Sequence, residues 1–120
     1  MIYPFKFKDQ NELTHVISTV CEFYSTTYAA INIKSRKNPA MNVRQVCMMF
    51  LIDSCKITHK MAADIFNLDR STAHHAFKVI GLRYQTERDT RFDIDRLMIF
   101  LNYTESEKKA LINKLIVKKA

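Results

Sequence analysis

The chain has 120 residues, 48% hydrophobic and 26% charged, the balance of an ordinary globular protein rather than a disordered or membrane-embedded one. One Gly and two Pro are too few turn residues for a β-rich fold or a glycine-dependent phosphate loop, so composition favours helices joined by short turns. Nineteen Lys and Arg against twelve Asp and Glu give a formal charge of +7, which suggests nucleic acid or another anionic surface without establishing either.

Cys21, Cys47 and Cys55 form an odd set without CxxC spacing, each in an apolar context. They read as buried free thiols in a reducing compartment. The opening "MIYPFKFKDQ" lacks the apolar core of a signal peptide. The most apolar window, "VCMMFLIDSC", is too short to span a bilayer and contains Asp53. The expectation is a cytoplasmic protein with no membrane partner.

In chain order, residues 1–8 alternate aromatic and basic residues around Pro4 and read as extended. From Asp9 to about Tyr24, apolar residues at Leu13, Val16, Ile17, Val20 and Cys21 recur at helical spacing. A short helical turn follows at Tyr28–Ile31. The polar, basic "NIKSRKNPAMN" is the clearest loop, punctuated by Asn38-Pro39. Asn42 is placed to cap the next helix, which runs to about Cys55 and is apolar on most sides, as a central core helix is. Thr58 caps the shorter "HKMAADIF", which stops at Asn67, and Asp69 caps a long helix over 70–87. Thr90 and Arg91 lead into "FDIDRLMIFL". Thr104-Glu-Ser-Glu107 is a capping box opening a last helix over 104–119, with Leu111, Leu115 and Ile116 as its apolar stripe. The predicted fold class is all-α: one compact domain, 1–120, of about six helices.

The short helix, the turn at 67–69 and the longer helix have helix-turn-helix spacing. The usual turn glycine is absent, and Asn67 can replace it because Asn tolerates the left-handed conformation. On the helix from Arg70, Ala73, Phe77, Ile80 and Tyr84 share a face that should bury. Arg70, Ser71, His74, His75 and Lys78 fall elsewhere, offering cations, a hydroxyl and imidazoles to phosphates or to base edges in a major groove.

Two other chemistries fit these residues less well. Adjacent histidines on a helix point about 100° apart and cannot share one metal ion as an i,i+4 pair can. A Ser beside a His is no triad without an orienting carboxylate and an oxyanion hole, so no enzyme is expected. For His75 the alternatives stay open: a DNA contact, or a histidine bonded to nearby backbone that holds the turn. Lys34, Arg36 and Lys37 cluster in a loop with no acid between Glu22 and Asp53. The cluster reads as a solvated loop or as an arm whose Arg reaches a minor groove. Arg44 and Gln45 could fix a phosphate or a base from the flank.

The segment from about Val20 to Leu97 resembles the C-terminal DNA-binding domain of the bacterial replication initiator DnaA. Of that family's Gly-Arg-Asp-His-Thr-Thr-x-x-His-Ala pattern, Asp69, Thr72, His75 and Ala76 are present, with Arg70 and Ser71 where His and Thr are usual. "VCEFY" resembles the family's Val-Ala-Glu-Tyr-Tyr; Lys34, Ser35, Arg36 and Lys37 match its basic loop, and Arg44-Gln45 its Arg-Pro-Arg-Gln element. Leu68 stands where the family has Arg, and Asn42 and Val43 where it has Arg and Pro.

The resemblance implies a Trp-repressor-like domain that binds a short duplex sequence. Arg36 would enter the minor groove, while Arg44, Gln45, Asp69, Arg70, Ser71 and Thr72 would contact bases and backbone in the major groove. With no GxxxxGK[ST] loop, no nucleotide is expected, and neither is a cofactor or metal. The sequence is thus expected to be a stand-alone, sequence-specific binder of double-stranded DNA in replication control or transcription regulation. The expected contacts are Lys34, Arg36, Lys37, Arg44, Gln45, Asp69, Arg70, Ser71, Thr72, His74, His75 and Lys78. The alternative is a protein–protein module. The last helix reads either as a cap on the core or as the surface for a homodimer or protein partner.

Overall fold

The computed structural model describes residues 10–33 and 40–116. These form seven helices, with no strand among the described residues. They are α1 (Gln10–Phe23), α2 (Tyr28–Ile31), α3 (Ala40–Cys55), α4 (His59–Ile65), α5 (Arg70–Thr86), α6 (Arg88–Phe100) and α7 (Glu105–Leu115). The fold is all-α, as composition implied. The extended reading of 1–8, the basic residues Lys34, Arg36 and Lys37, and residues 117–119 of the predicted last helix lie outside the described residues, and α7 itself stops at Leu115, with Ile116 as its C-cap, short of the expected end.

Every residue from Val43 to Leu51 is buried, including Arg44 and Gln45. A helix buries consecutive residues only when it is covered on all sides. α3 is so covered: it packs against α1, α2, α4 and α5. The α1 residues Leu13, Val16, Ile17 and Val20 recur at the spacing of one helical face, and all are buried. Each large apolar side chain removed from water in this way contributes about 1.5–3 kcal/mol before conformational entropy is counted.

The helix ends explain how a chain with one glycine turns so often. Three helices close with the same pair of backbone bonds around a left-handed residue, the Schellman arrangement. After α1, Ser25 (φ 56) and Thr26 donate to the carbonyls of Glu22 and Cys21. After α4, Asn67 (φ 57) and Leu68 donate to Asp64 and Ala63. After α6, Asn102 (φ 60) and Tyr103 donate to Ile99 and Met98. Asn67 thus takes the turn-glycine position, as its side chain allows. The one glycine, Gly81, lies inside α5, where a Cβ would stand 2.5 Å from the carbonyl oxygen of Leu115. Its use is close approach between α5 and α7 rather than backbone freedom.

α7 caps the core. Leu111 and Leu115 are buried, and the predicted capping box is present: Thr104 Oγ1 accepts from the Glu107 amide at 3.1 Å, and the Thr104 amide donates to Glu107 Oε1 at 2.8 Å. Asp53, 6% exposed, fastens the joint by accepting from Tyr103 Oη at 2.6 Å and from Lys114 Nζ at 3.0 Å. Burial, and then the Asp53 carboxylate, hold the Tyr103 phenol well above its usual pKa.

Three boundary expectations are corrected. α3 starts at Ala40, so Asn42 lies within its first turn and caps nothing; its Oδ1 accepts instead from Arg83 Nη1 of α5. α6 starts at Arg88, ahead of Thr90, so a single residue, Glu87, separates it from α5; Thr90 is buried and donates to Glu87 Oε1 at 2.9 Å. Asp69 does hold the N-cap position of α5 in an extended conformation, but its carboxylate makes no capping hydrogen bond.

Candidate nucleic-acid interface

Thr58 opens α4 by accepting from the Met61 amide at 3.1 Å, and the Asn67 turn closes it. α5 then starts at once. It is held by Ala73, Ala76 and Ile80, all fully buried, and by Tyr84. The two alanines let α3 and α4 approach closely, because neither carries a side chain beyond Cβ. Phe77, expected to bury, is half-buried and meets the His59 ring edge-to-face at 6.4 Å. His59 also meets His74 edge-to-face at 5.3 Å, so an aromatic contact spans the two helices on their outer side.

With that face of α5 buried, Asp69, Arg70, Ser71, His74, His75 and Lys78 are exposed, and Thr72 is half-exposed. Among the described residues neither Arg70 nor Lys78 joins an ion pair, whereas Lys60 and Asp64 of α4 pair with each other at 3.2 Å. The exposed edge of α5 is therefore locally cationic. Burial of the adjoining face leaves Arg70 at the start of the helix, where the orphan amides of the first turn also favour anions.

Between the N-terminal half of α3 and this face of α5 lies a concavity of about 730 Å³. From α3, Arg44 and Gln45 line it; from α5, Ser71, Thr72, His74, His75 and Lys78 line it. Asp69 and Arg70 stand outside it, at the tip of α5. Seven residues singled out from sequence thus converge on one surface, though they come from two helices. His75 makes no side-chain hydrogen bond among the described residues, so no backbone partner there gives it a turn-holding role.

Arg44 has a second task. It is 5% exposed, and its Nη1 donates to the carbonyl oxygens of Ile31 at 3.0 Å and Ile33 at 2.8 Å. Burial lowers its pKa from the ordinary arginine value. Ile33 is the last described residue before Lys34, so Arg44 fastens the end of α2 and the two residues after it to α3.

Four apolar residues also line it: Met41, Met48 and Val79, which were not singled out from sequence, and Leu68, noted there only as standing in place of the family's Arg. Leu68 had a visible signal, as the one apolar residue in an otherwise polar turn. It occupies the position after the left-handed Asn67 and packs partly against the core. Met41 and Val79 gave none, because only the packing of α3 beside α5 turns them toward a shared space. Among the described residues no group of three or more His, Cys, Asp or Glu could hold a metal ion, and no helix is long and apolar enough to cross a membrane.

Residues 13–80 match the family described as the bacterial dnaA protein helix-turn-helix. The chain is also 29% identical over 87 residues to the chromosomal replication initiator protein DnaA of Bacteroides fragilis, an alignment that covers 72% of this chain and 18% of that protein. No solved structure matches. The family match takes in α3, α4, the Asn67 turn and the first turns of α5, the elements that build the concavity. The chain belongs to the bacterial dnaA protein helix-turn-helix family.

Proposed function

We propose that this chain binds double-stranded DNA in a sequence-specific manner, in the cytoplasm, and serves replication initiation, its control, or transcription regulation. α5 lies in the major groove with Arg70, Ser71 and Thr72 toward base edges, and Lys78 and His75 toward the backbone. Lys34, Arg36 and Lys37 reach the neighbouring backbone or minor groove from the segment that follows Ile33, whose carbonyl Arg44 holds. No catalytic step, nucleotide or metal enters this reading.

The observation that carries it is the exposed, locally cationic edge of α5 in the helix-turn-helix, bordering a concavity whose α3 wall holds the buried Arg44 and Gln45. The replication role is supported by the name of the matched relative, a chromosomal replication initiator. The alternative, a protein–protein module docking through 104–119, has less support, because the apolar stripe of α7 is spent on the core: Leu111 and Leu115 are buried.

Selection from a randomised duplex library at physiological salt tests the reading. A short enriched motif is the expected result, with a log–log salt slope of about −5 if about six basic side chains meet phosphates. No enrichment, or a slope flatter than about −2, would count against duplex binding.

A further inference from the structure

We infer that a second copy of this chain docks on the outer face of α6, the two α6 helices pairing antiparallel about a twofold axis at Phe92. The inference does not depend on the duplex-binding reading above.

α6 is apolar on two sides. Its inner side, with Ile94, Leu97 and Met98, is buried in the core. Its outer side carries Phe92 and Ile99, 54% and 57% exposed, which lie two turns apart and therefore in line along the helix. Phe100, 50% exposed, stands beside Ile99 and meets the half-buried Phe23 of α1 at 6.0 Å between ring centroids. The Arg96 guanidinium lies 4.7 Å from the Phe92 ring centroid, so that ring is stacked on a surface cation rather than packed in the core. Exposed apolar residues scattered singly are normal, but three on one helix, extended by Phe23, form a patch of the kind that marks a docking surface.

The charges flanking the stripe select the occupant. When two identical helices pair antiparallel about a twofold axis, residues on one flank that stand equally far before and after the axis meet across it. Residues two turns apart share a flank. Asp89 and Arg96 are such a pair, placed just before and just after Phe92. Arg88 and Asp95 are the corresponding pair on the other flank. With Phe92 facing Phe92 of the second copy at the axis, Asp89 opposes Arg96 and Arg88 opposes Asp95, each twice. An axis between Asp95 and Arg96 would instead set Arg96 against Arg96 and Asp95 against Asp95. The pattern thus admits a second copy in one register and repels it in the other. All four residues are exposed, and among the described residues none joins an ion pair. Asp95 uses Oδ1 for the Tyr84 hydroxyl, which leaves its second oxygen for Arg88 of the second copy.

α6 contributes no residue to the concavity between α3 and α5, so pairing leaves that surface open on both copies. A helix of 13 residues offers a face about 20 Å long, which sets the contact in the small, weakly associating class. The dissociation constant expected is on the order of 10 μM.

Sedimentation equilibrium of the full chain, at concentrations on both sides of that value, tests the pairing. The wild type is expected to pass from monomer to dimer, and Phe92→Ser to stay monomeric. Two charge reversals at exposed positions test the register. Asp89→Arg alone sets cation against cation, Arg96→Asp alone sets acid against acid, and each is expected to weaken self-association about tenfold or more. Mixed in equal amounts, the two variants are expected to form a heterodimer, because each repulsion becomes an attraction. If a reversal loses the helical circular-dichroism signal, Phe92→Ser decides alone. A wild type that stays monomeric at the highest concentration would overturn the inference, whatever else covers the stripe. Dimerisation of Phe92→Ser as strong as the wild type's would also overturn it, by placing the dimer on another face. A mixture of folded reversals that stays monomeric while the wild type dimerises would remove the pairing at Phe92.

Discussion

Gly81 and Leu115 meet so closely that a Cβ on the glycine would stand 2.5 Å from the leucine's carbonyl oxygen. The obstacle is backbone, so no rotamer change relieves it. Gly81→Ala gains about 1 kcal/mol of helix propensity, but overpacking a well-filled contact costs about 1–3 kcal/mol. The variant is expected to unfold at lower urea concentration than the wild type. Because Gly81 does not line the concavity, the folded variant should keep its DNA affinity. An unchanged or higher midpoint would show that α7 shifts aside freely, and that its attachment through Asp53 is loose.

Arg44→Ala separates fold from binding. The wild-type guanidinium satisfies the carbonyls of Ile31 and Ile33 from inside the protein. Losing it strands those acceptors, at about 1–3 kcal/mol for each that water cannot reach. The expected result is a lower unfolding midpoint together with weaker DNA binding, because the residues that lead into the basic segment 34–37 lose their anchor. Arg44→Lys retains a charge but not the planar fork, and should recover only part of either quantity. A variant that loses DNA affinity at unchanged stability would make Arg44 a direct contact instead.

Tyrosines set the alkaline limit. Burial, then the Asp95 carboxylate that accepts from its hydroxyl at 2.9 Å, pushes Tyr84 up to about 12. Tyr24 and Tyr103 are also raised, by burial first and then by Asp93 and Asp53 respectively. In each case the folded pKa exceeds the unfolded value of about 10, so the folded state holds the proton longer. The stabilisation is complete below about pH 10 and is lost as pH rises toward the folded values, at about 1.4 kcal/mol per pH unit for each tyrosine. Urea midpoints measured from pH 8 to 11 are expected to be flat at first and then to fall. Tyr84→Phe should make the fall shallower by one group. A profile that stays flat to pH 11 would mean that the phenols are open to water.

The parts of the structure that local chemistry decides could be read from sequence. Thr58 and Thr104 cap the helices they precede, Asn67 takes the left-handed turn, and the α5 residues Ala73, Ile80 and Tyr84 bury while Ser71, His74, His75 and Lys78 stay exposed. What could not be read depends on partners distant in sequence. Asn42 looks like a cap, but its acceptor is used by Arg83, forty-one residues away. Arg44 looks like a surface cation, yet carbonyls of α2 and the residues after it draw it inside. Met41 and Val79 become neighbours only once α3 lies along α5. The same holds for Gly81, whose reason lies thirty-four residues on, at Leu115.

Arg70 and Lys37 should differ in kind if the helix-turn-helix reads sequence. Arg70 is exposed at the first position of α5, beside Asp69, whose carboxylate makes no capping bond. A guanidinium there matches the paired acceptors of guanine, O6 and N7, so its removal should be felt at one base pair. Arg70→Ala is expected to cost about 1–3 kcal/mol on the selected site and to relax preference at that position, with little change on random duplex. Lys37 belongs to the basic segment 34–37, where on the duplex-binding reading an ammonium would meet phosphate whatever the sequence. Lys37→Ala should weaken selected and random duplexes alike and reduce the salt slope by about 1. Titrations of both variants against both duplexes at two salt concentrations separate the roles. If Arg70→Ala weakened the two duplexes equally, Arg70 would be a phosphate contact. Discrimination would then rest on the hydroxyls of Ser71 and Thr72.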